Sequence, residues 1–417
     1  MPKTKILYLA VYYAPYNIVT TFRNLKISKY LDLYNFEQYI FTGYYTRNIN
    51  KKLNDDIPKS AKIFRKKINF PEIEALSACN VNSKLFSKLK FLIKDLLFSP
   101  DKFIWWILFY LPQMILTIKK EKIKIVMVGG WPYSSFVGAL LLKKLCKIKL
   151  VLDFHDPWKN MPINLKQSFI RRFWDWFWEK LCVQNADLIT VCTDNILNEL
   201  YHSYKPKAKI IKVSNGFDYD DFRGILKKKE KKTDRFTFLY TGKYYLKYDD
   251  YNPSSLVKAF DAFVKKYDIH NCDLIMIGLT DESTKQFIEK LNNPYIKCRD
   301  LMPKHEVLQL QNNSDVLIHF YYPKTHKDTI SLKICEYALC KKPIISFNVE
   351  EGELYNFLKE NELGETASSH NIDEMVSLFH KAYSLEIKIC DDPVEKLQEY
   401  NYQSIIANLS KYLNDLV

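Results

Sequence analysis

The stretch Asp328-Thr-Ile-Ser-Leu-Lys-Ile-Cys-Glu336 sets two carboxylates eight positions apart, ahead of Tyr337-Ala-Leu and the apolar run that Pro343 opens. On a helix turning about 100° per residue, eight steps leave the two side chains roughly 80° apart and up to ~12 Å apart along the axis. They face one side but are too distant to share a proton or grip one metal. Such spacing suits an extended ligand held at both ends. A helix beginning near Thr329 would also aim free backbone N–H groups at anything bound beside Asp328, which favours phosphate. The plain alternative is an amphipathic helix with solvated charges.

Other groups able to do chemistry follow apolar runs. Asp153-Phe-His-Asp-Pro-Trp158 puts His155 and Asp156 at the carboxyl end of a predicted strand, where ligands of open α/β sheets bind; an Asp-Pro turn with a hydrogen-bonded histidine is the alternative. Gly129-Gly-Trp-Pro-Tyr-Ser-Ser135 sits between a strand and a helix, where backbone N–H groups can meet a ligand, but it lacks the GxGxxG spacing of dinucleotide sites. Tyr240-Thr-Gly-Lys-Tyr-Tyr-Leu-Lys247 runs a strand into Gly242 with Lys243 and Lys247 just beyond, two cations that suit a pyrophosphate, with ordinary surface lysines as the alternative. Ser214-Asn-Gly-Phe-Asp218 reads first as a turn. There is no His-Glu-x-x-His, Cys/His cluster, Walker loop or serine nucleophile elbow, so no metal cofactor is expected and most NTPase and hydrolase readings fall away.

The elements that must position these groups alternate strand and helix. Strands are predicted at 6–12, 37–42, 123–128, 150–154, 188–191 and 210–213, with helices at 21–33, 134–145 and 195–204. A second series has strands at 235–242, 273–277, 296–298, 316–320 and 343–347, with helices at 254–267, 284–291, 304–312, 331–339 and 372–383. This rhythm predicts two doubly wound parallel sheets with a cleft between them. The lysine run 227–232 marks the break, giving an N-terminal domain over 1–218, a linker over 219–234, a second domain over 235–393 and a helical segment over 394–417.

At 417 residues the chain is long for one core and suits two. Its nine scattered cysteines are odd in number, which reads as reduced thiols of a cytoplasmic protein. A net charge of +14 asks for an anionic partner. No nucleic-acid motif is present, so nucleic acid is not expected. Ser83–Phe98 carries lysines and bulky apolar residues at helical spacing, as in helices lying on a membrane surface or in a core-facing helix with a solvated lysine face. Two aromatic runs, 103–117 and 169–178, are too short or too charged to span a bilayer and read as buried helices, with an interfacial edge as the variant reading.

In order and spacing, these motifs resemble retaining GT-B glycosyltransferases of the family-4 type across nearly the whole chain. The resembling segments include Tyr13-Ala-Pro15 with Thr20-Thr-Phe-Arg23, Gly130-Trp-Pro-Tyr-Ser134, Asp153–Trp158, Ala186–Thr193, Ser214–Asp218 and the acidic pair Asp328/Glu336. The resemblance implies two Rossmann-like domains, with the C-terminal helix crossing back to the first. It implies transfer of a sugar from a nucleotide-diphosphate donor, UDP-sugar over GDP-sugar, to a glycan or lipid-linked glycan acceptor, without a metal. Glu336 would then bond the donor ribose and Asp328 face the transferred sugar. Gly242 and the backbone of Thr329, Ile330, Ser331 and Leu332 would cradle the diphosphate, and Lys243 and Lys247 would neutralise it. His155 would contact the sugar near the reacting carbon, and Arg23, Trp131 and Asp156 would meet the acceptor. Departures from the pattern are Asp328 in place of Glu, Asn17-Ile-Val-Thr-Thr21 in place of a Gly-rich loop, and Lys243 where arginine is usual. A cytoplasmic enzyme of cell-surface polysaccharide or lipopolysaccharide assembly, peripheral on the inner membrane face, follows from this reading. A nucleotide-sugar 2-epimerase and a non-catalytic assembly partner are the alternatives.

Overall fold

The computed structural model describes residues 3–68, 99–160, 168–226, 234–247, 252–320, 332–347 and 352–417. They form two units. One is Met1–Ser214 with Tyr402–Val417; the other is Asn215–Asn401.

In the first unit the elements run β1 (Thr4–Leu9), α1 (Val19–Leu31), β2 (Phe36–Tyr44), β3 (Lys62–Lys67), α2 (Ile104–Glu121), β4 (Ile125–Gly129), α3 (Ser134–Cys146), β5 (Lys149–Phe154), α4 (Phe169–Asn185), β6 (Leu188–Val191), α5 (Asp194–Tyr204) and β7 (Lys209–Lys212). The strands form one parallel sheet in the order β3-β2-β1-β4-β5-β6-β7. Right-handed crossovers put α2, α3, α4 and α5 on one face and α1 on the other. Because both faces are covered, β4 is buried at every residue, which is why it reads as an unbroken apolar run. β3 was not expected: Lys-Ile-Phe-Arg-Lys-Lys shows no apolar run, and as an edge strand its charges keep other chains from pairing with it.

The second unit runs β8 (Phe236–Thr241), α6 (Ser254–Lys266), β9 (Cys272–Ile277), α7 (Glu282–Glu289), β10 (Ile296–Arg299), α8 (Lys304–Asn313), β11 (Val316–Phe320), α9 (Leu332–Leu339), β12 (Ile344–Phe347), α10 (Glu353–Glu360), β13 (Gly364–Ala367) and α11 (Ile372–Tyr383). Its parallel sheet has the order β10-β9-β8-β11-β12-β13. One apolar layer packs α6 and α11 on the sheet through Phe260, Phe263 and Phe379. The other packs α9 and α10 through Ile334, Tyr337 and Phe357. The edge strand β13 and helix α10 were not anticipated, since Gly-Glu-Thr-Ala carries no strand pattern.

Two expected boundaries move. Residues 219–226 belong to the second unit, where Phe222 and Ile225 enter its core, so the proposed linker over 219–234 begins too early. The segment 394–417 divides: a helical turn at Pro393–Lys396 stays with the second unit, while α12 (Tyr402–Asn414) joins the first and packs on α1. The lysine run 227–232 and the amphipathic segment 83–98 lie outside the described residues. Among the described residues every cysteine is a free thiol, and no helix is long and apolar enough to cross a membrane.

Candidate active site

In each sheet the winding reverses once, between β1 and β4 in the first unit and between β8 and β11 in the second. Such reversals open a crevice at the carboxyl ends of the strands, and ligands bind there.

In the first unit, four rings gather at this point. Tyr12, just past β1, stacks on Trp131, just past β4, with centroids 5.3 Å apart and planes 11° from parallel. Tyr16 and Tyr45 stack at 4.0 Å and 10°, and Tyr12 also stacks on each of them at 5.7 Å. Trp131 is the outer member, 36 % exposed. A flat aromatic surface with a solvated edge suits the apolar face of a sugar ring. Trp131 was singled out in the sequence and the tyrosines were not; Tyr12 and Tyr16 come from the loop after β1 and Tyr45 from the loop after β2.

Beside them, β5 ends in a buried carboxylate. Asp153 accepts from Arg23 Nε at 3.1 Å and Nη2 at 2.8 Å, from Thr190 Oγ1 at 2.6 Å, and from the His155 ring through Nε2 at 2.8 Å. Burial alone would raise the Asp153 pKa, but the Arg23 charge and the hydrogen bonds from Arg23 and His155 outweigh it and hold the carboxyl below its ordinary range. An ionised Asp153 can only accept, so His155 Nε2 carries the proton and Nδ1 is the ring atom left for a ligand. That atom lies over Gly130, whose φ of +59° favours glycine and where an added Cβ would come within 2.4 Å of Nδ1.

Arg23 corrects an expectation. It is 2 % exposed, and two more of its N–H groups go to the Val213 and Ser214 carbonyls at 2.7 and 3.1 Å. A guanidinium spent in this way cannot meet an acceptor; it ties α1 to β5 and to the end of the unit. Asp156 is half-buried, and its carbonyl accepts from Tyr133 Oη at 3.1 Å. The Asp153→Asn variant leaves the Arg23 cation buried beside a neutral amide, a change expected to cost about 3–5 kcal/mol of unfolding free energy. Urea denaturation near neutral pH measures it. Because the Asp153 pKa is depressed in the folded state, the wild-type advantage should hold above the ordinary carboxylate range and vanish on acidification below it.

In the second unit, the end of β8 meets α9. The Tyr337 hydroxyl bonds Thr241 Oγ1 at 2.7 Å, and Gln311 Nε2 approaches the same oxygen at 3.3 Å, so α9 is pinned to the strand end. One turn earlier on α9, Lys333 Nζ donates to the Thr241 carbonyl at 2.9 Å and lies 5.4 Å from the Tyr240 ring centre. Gly242, with φ of +148°, lets it do so, since a Cβ there would come within 2.4 Å of that nitrogen. Burial lowers the Lys333 pKa to about 8, with Glu336 opposing the shift and Lys243 adding to it. His319 on β11 bonds Ser346 Oγ at 3.0 Å, and burial, helped by the Lys333 charge, lowers its pKa to about 3, so it stays neutral.

Glu336, a turn further along α9, is half-buried, and its Oε1 lies 3.0 Å from Lys304 Nζ, which also holds Asp221 Oδ2 at 2.8 Å. Burial would lower the Lys304 pKa, but Glu336 and Asp221 together raise it above the ordinary value. Among the described residues no hydrogen bond engages Glu336 Oε2, which leaves one carboxylate oxygen for a ligand hydroxyl.

The two lysines expected at the diphosphate stand differently. Lys243 is exposed on the loop after β8, and Lys247 pairs with Asp281 at 3.4 Å. Lys333, which drew no notice in the sequence because a lysine on an amphipathic helix normally faces water, is the cation the fold brings to Gly242. Asp328, Thr329, Ile330 and Ser331 lie outside the described residues; Leu332 begins α9.

Residues 88–221 match the family described as Glycosyltransferase Family 4. No curated protein matches the sequence. Among solved structures, HepE of Anabaena in complex with UDP and glucose aligns at a TM-score of 0.64 and 12 % identity, covering 99 % of this chain and 100 % of its own. The apo form of the lipopolysaccharide outer core galactosyltransferase WaaB aligns at 0.62 and 14 % identity, covering 99 % and 100 %. Sucrose-phosphate synthase of Thermosynechococcus elongatus aligns at 0.64 and 12 %, covering 99 % of each chain. At these identities the likeness is one of fold, and the chain has the GT-B fold of glycosyltransferases, two Rossmann-like parallel sheets.

Proposed function

We propose that this protein is a retaining glycosyltransferase that moves a sugar from a UDP-sugar to a glycan acceptor, in cell-surface polysaccharide, lipopolysaccharide or lipid-linked glycan assembly at the cytoplasmic side of a membrane. The observation that carries this reading is the grouping of Gly242, Lys333 and Glu336 at the winding reversal of the second unit. A desolvated cation admitted by a glycine at a strand end, and a carboxylate with one oxygen unengaged among the described residues, match a diphosphate followed by a ribose. The UDP and glucose held by HepE, and the lipopolysaccharide substrate class in the name of WaaB, support the donor and acceptor classes.

In this mechanism the bond from the anomeric carbon to the β-phosphate oxygen breaks as the acceptor hydroxyl approaches on the same face. The departing phosphate oxygen takes the hydroxyl proton, so no protein nucleophile is needed. Negative charge grows on the diphosphate, and Lys333, Lys243 and the N-terminal N–H groups of α9 would stabilise it where a metal serves in other enzymes. His155 Nδ1 would accept from a hydroxyl of the transferred sugar, held in that tautomer by Asp153. Trp131 and its stacked tyrosines would carry the acceptor sugar, and Asp328 would face the donor sugar.

Thermal denaturation with UDP, GDP, CDP and dTDP tests the donor half. A ligand at a hundred times its dissociation constant adds about 2.7 kcal/mol of stability, so UDP is expected to raise Tm by several degrees and the others by less. A flat response to all four nucleotides would favour a non-catalytic role.

A further inference from the structure

We propose that the uncovered faces of α2 and α4 in the first unit seat this protein on an anionic lipid bilayer. Both runs were expected to be buried helices with at most an interfacial edge. Instead each packs on α3 by one side and leaves an apolar face open. Because α2, α3 and α4 lie on the same face of the sheet, these open sides point away from it. On α4 the open residues are Phe169, Ile170, Phe173 and Phe177, with Phe169 83 % exposed. On α2, Phe109 is 76 % and Leu116 67 % exposed, with Trp105 and Leu108 beside them.

The charges of α4 are sorted by sign. Its two acidic residues, Asp175 and Glu179, are buried at 2 % and 0 % exposure, and Glu179 accepts from the Tyr204 hydroxyl at 2.7 Å. Its open side carries Arg172 and Lys180, the latter 5.0 Å from the Trp176 ring centre. Phe169, Phe173 and Trp176 line an open cavity of about 230 Å³ whose other walls are Lys159 and Arg172. Aromatic rings that enter the headgroup layer, rimmed by cations and free of exposed acid, are the composition of a helix lying in an anionic interface. Lys119, Lys120 and Lys122 extend the positive rim at the end of α2. A second copy of the chain fits this face poorly, because a two-fold contact sets like cations against one another. A neutral protein partner leaves the cations without counter-charges.

Co-sedimentation of the full chain with extruded vesicles tests this. Binding is expected to vesicles of phosphatidylcholine with one-third phosphatidylglycerol, and to fall about tenfold or more on phosphatidylcholine alone or at high salt. The double variant F169D/F173D and the single variant R172E should each lose about tenfold of the anionic binding. Both alter exposed side chains, so circular dichroism and the UDP-induced Tm shift should match wild type. Equal binding of wild type and F169D/F173D, or no wild-type binding to either vesicle, overturns the proposal. So does a wild-type dimer by light scattering that F169D/F173D converts to monomer, since the face then belongs to a second copy. The surface is separate from the donor site, so vesicle binding can fail while nucleotide binding stands.

Discussion

Replacing Glu336 with alanine is expected to lower kcat/KM for sugar transfer by about 10³-fold, close to 4 kcal/mol of transition-state stabilisation. The loss has two sources. The donor ribose loses a charged acceptor in a half-buried setting, and such bonds are worth more there than in water. The anomeric carbon then loses its fixed position relative to the acceptor, which is the costlier effect. The fold should survive, because Lys304, left by Glu336, keeps Asp221 at 2.8 Å. A melting temperature close to wild type, alongside lost transfer and a lost UDP-induced shift, is the expected pattern. Glu336→Gln retains an acceptor oxygen and should fall between the two. Wild-type transfer by Glu336→Ala would remove the residue from the site.

The second large effect is expected at Lys333. Lys333→Met fills the same space beside Gly242 without the charge, and should cost about 10²–10³-fold in kcat, the range seen when one preorganised donor to a developing anion is removed. Stability should move the other way. Burial makes the protonated amine unfavourable in the folded chain, so Met is expected to leave Tm unchanged or raise it. A purely structural lysine would show the reverse. The pH dependence adds a separate test. With its pKa lowered to about 8, Lys333 is charged at neutral pH and loses its proton as pH rises past that value. kcat/KM, which reports the free enzyme, should therefore fall on the alkaline side of about 8. Over the window from about 8 to the ordinary lysine value of 10.5 the unfolded chain holds the proton more tightly, so folding stability should rise while activity falls. Lys333→Arg should move the alkaline limb of activity to higher pH, since a guanidinium does not titrate there.

Much of the fold was legible because parallel strands buried on both faces leave apolar runs, unbroken in Ile125–Gly129 and interrupted only by the buried His319 in Val316–Phe320. Two of the four edge strands were not, since Lys62–Lys67 and Gly364–Ala367 owe their pairing to a neighbour and not to their own pattern. The placement of the candidate residues was legible where it depends on local sequence: His155 at a strand end, Gly242 beyond another, Glu336 on a helix. Roles that depend on a distant partner were not. Arg23 reads as a ligand-binding cation until Asp153, 130 positions away, is seen to claim it. Lys333 reads as a solvated lysine until the Thr241 carbonyl and the space at Gly242 draw it inward. The aromatic run of α4 reads as a buried helix with at most an interfacial edge, because hydropathy does not show which side of a helix the rest of the fold leaves open.

The most direct test of the proposed chemistry is proton NMR of the full chain incubated with UDP-sugars, following nucleotide and sugar together. Release of UDP with the freed or transferred sugar first appearing in the donor's own anomeric configuration, from wild type and not from Glu336→Ala, is the expected result. An epimerised nucleotide-sugar, an inverted sugar, or equal release by Glu336→Ala would contradict it.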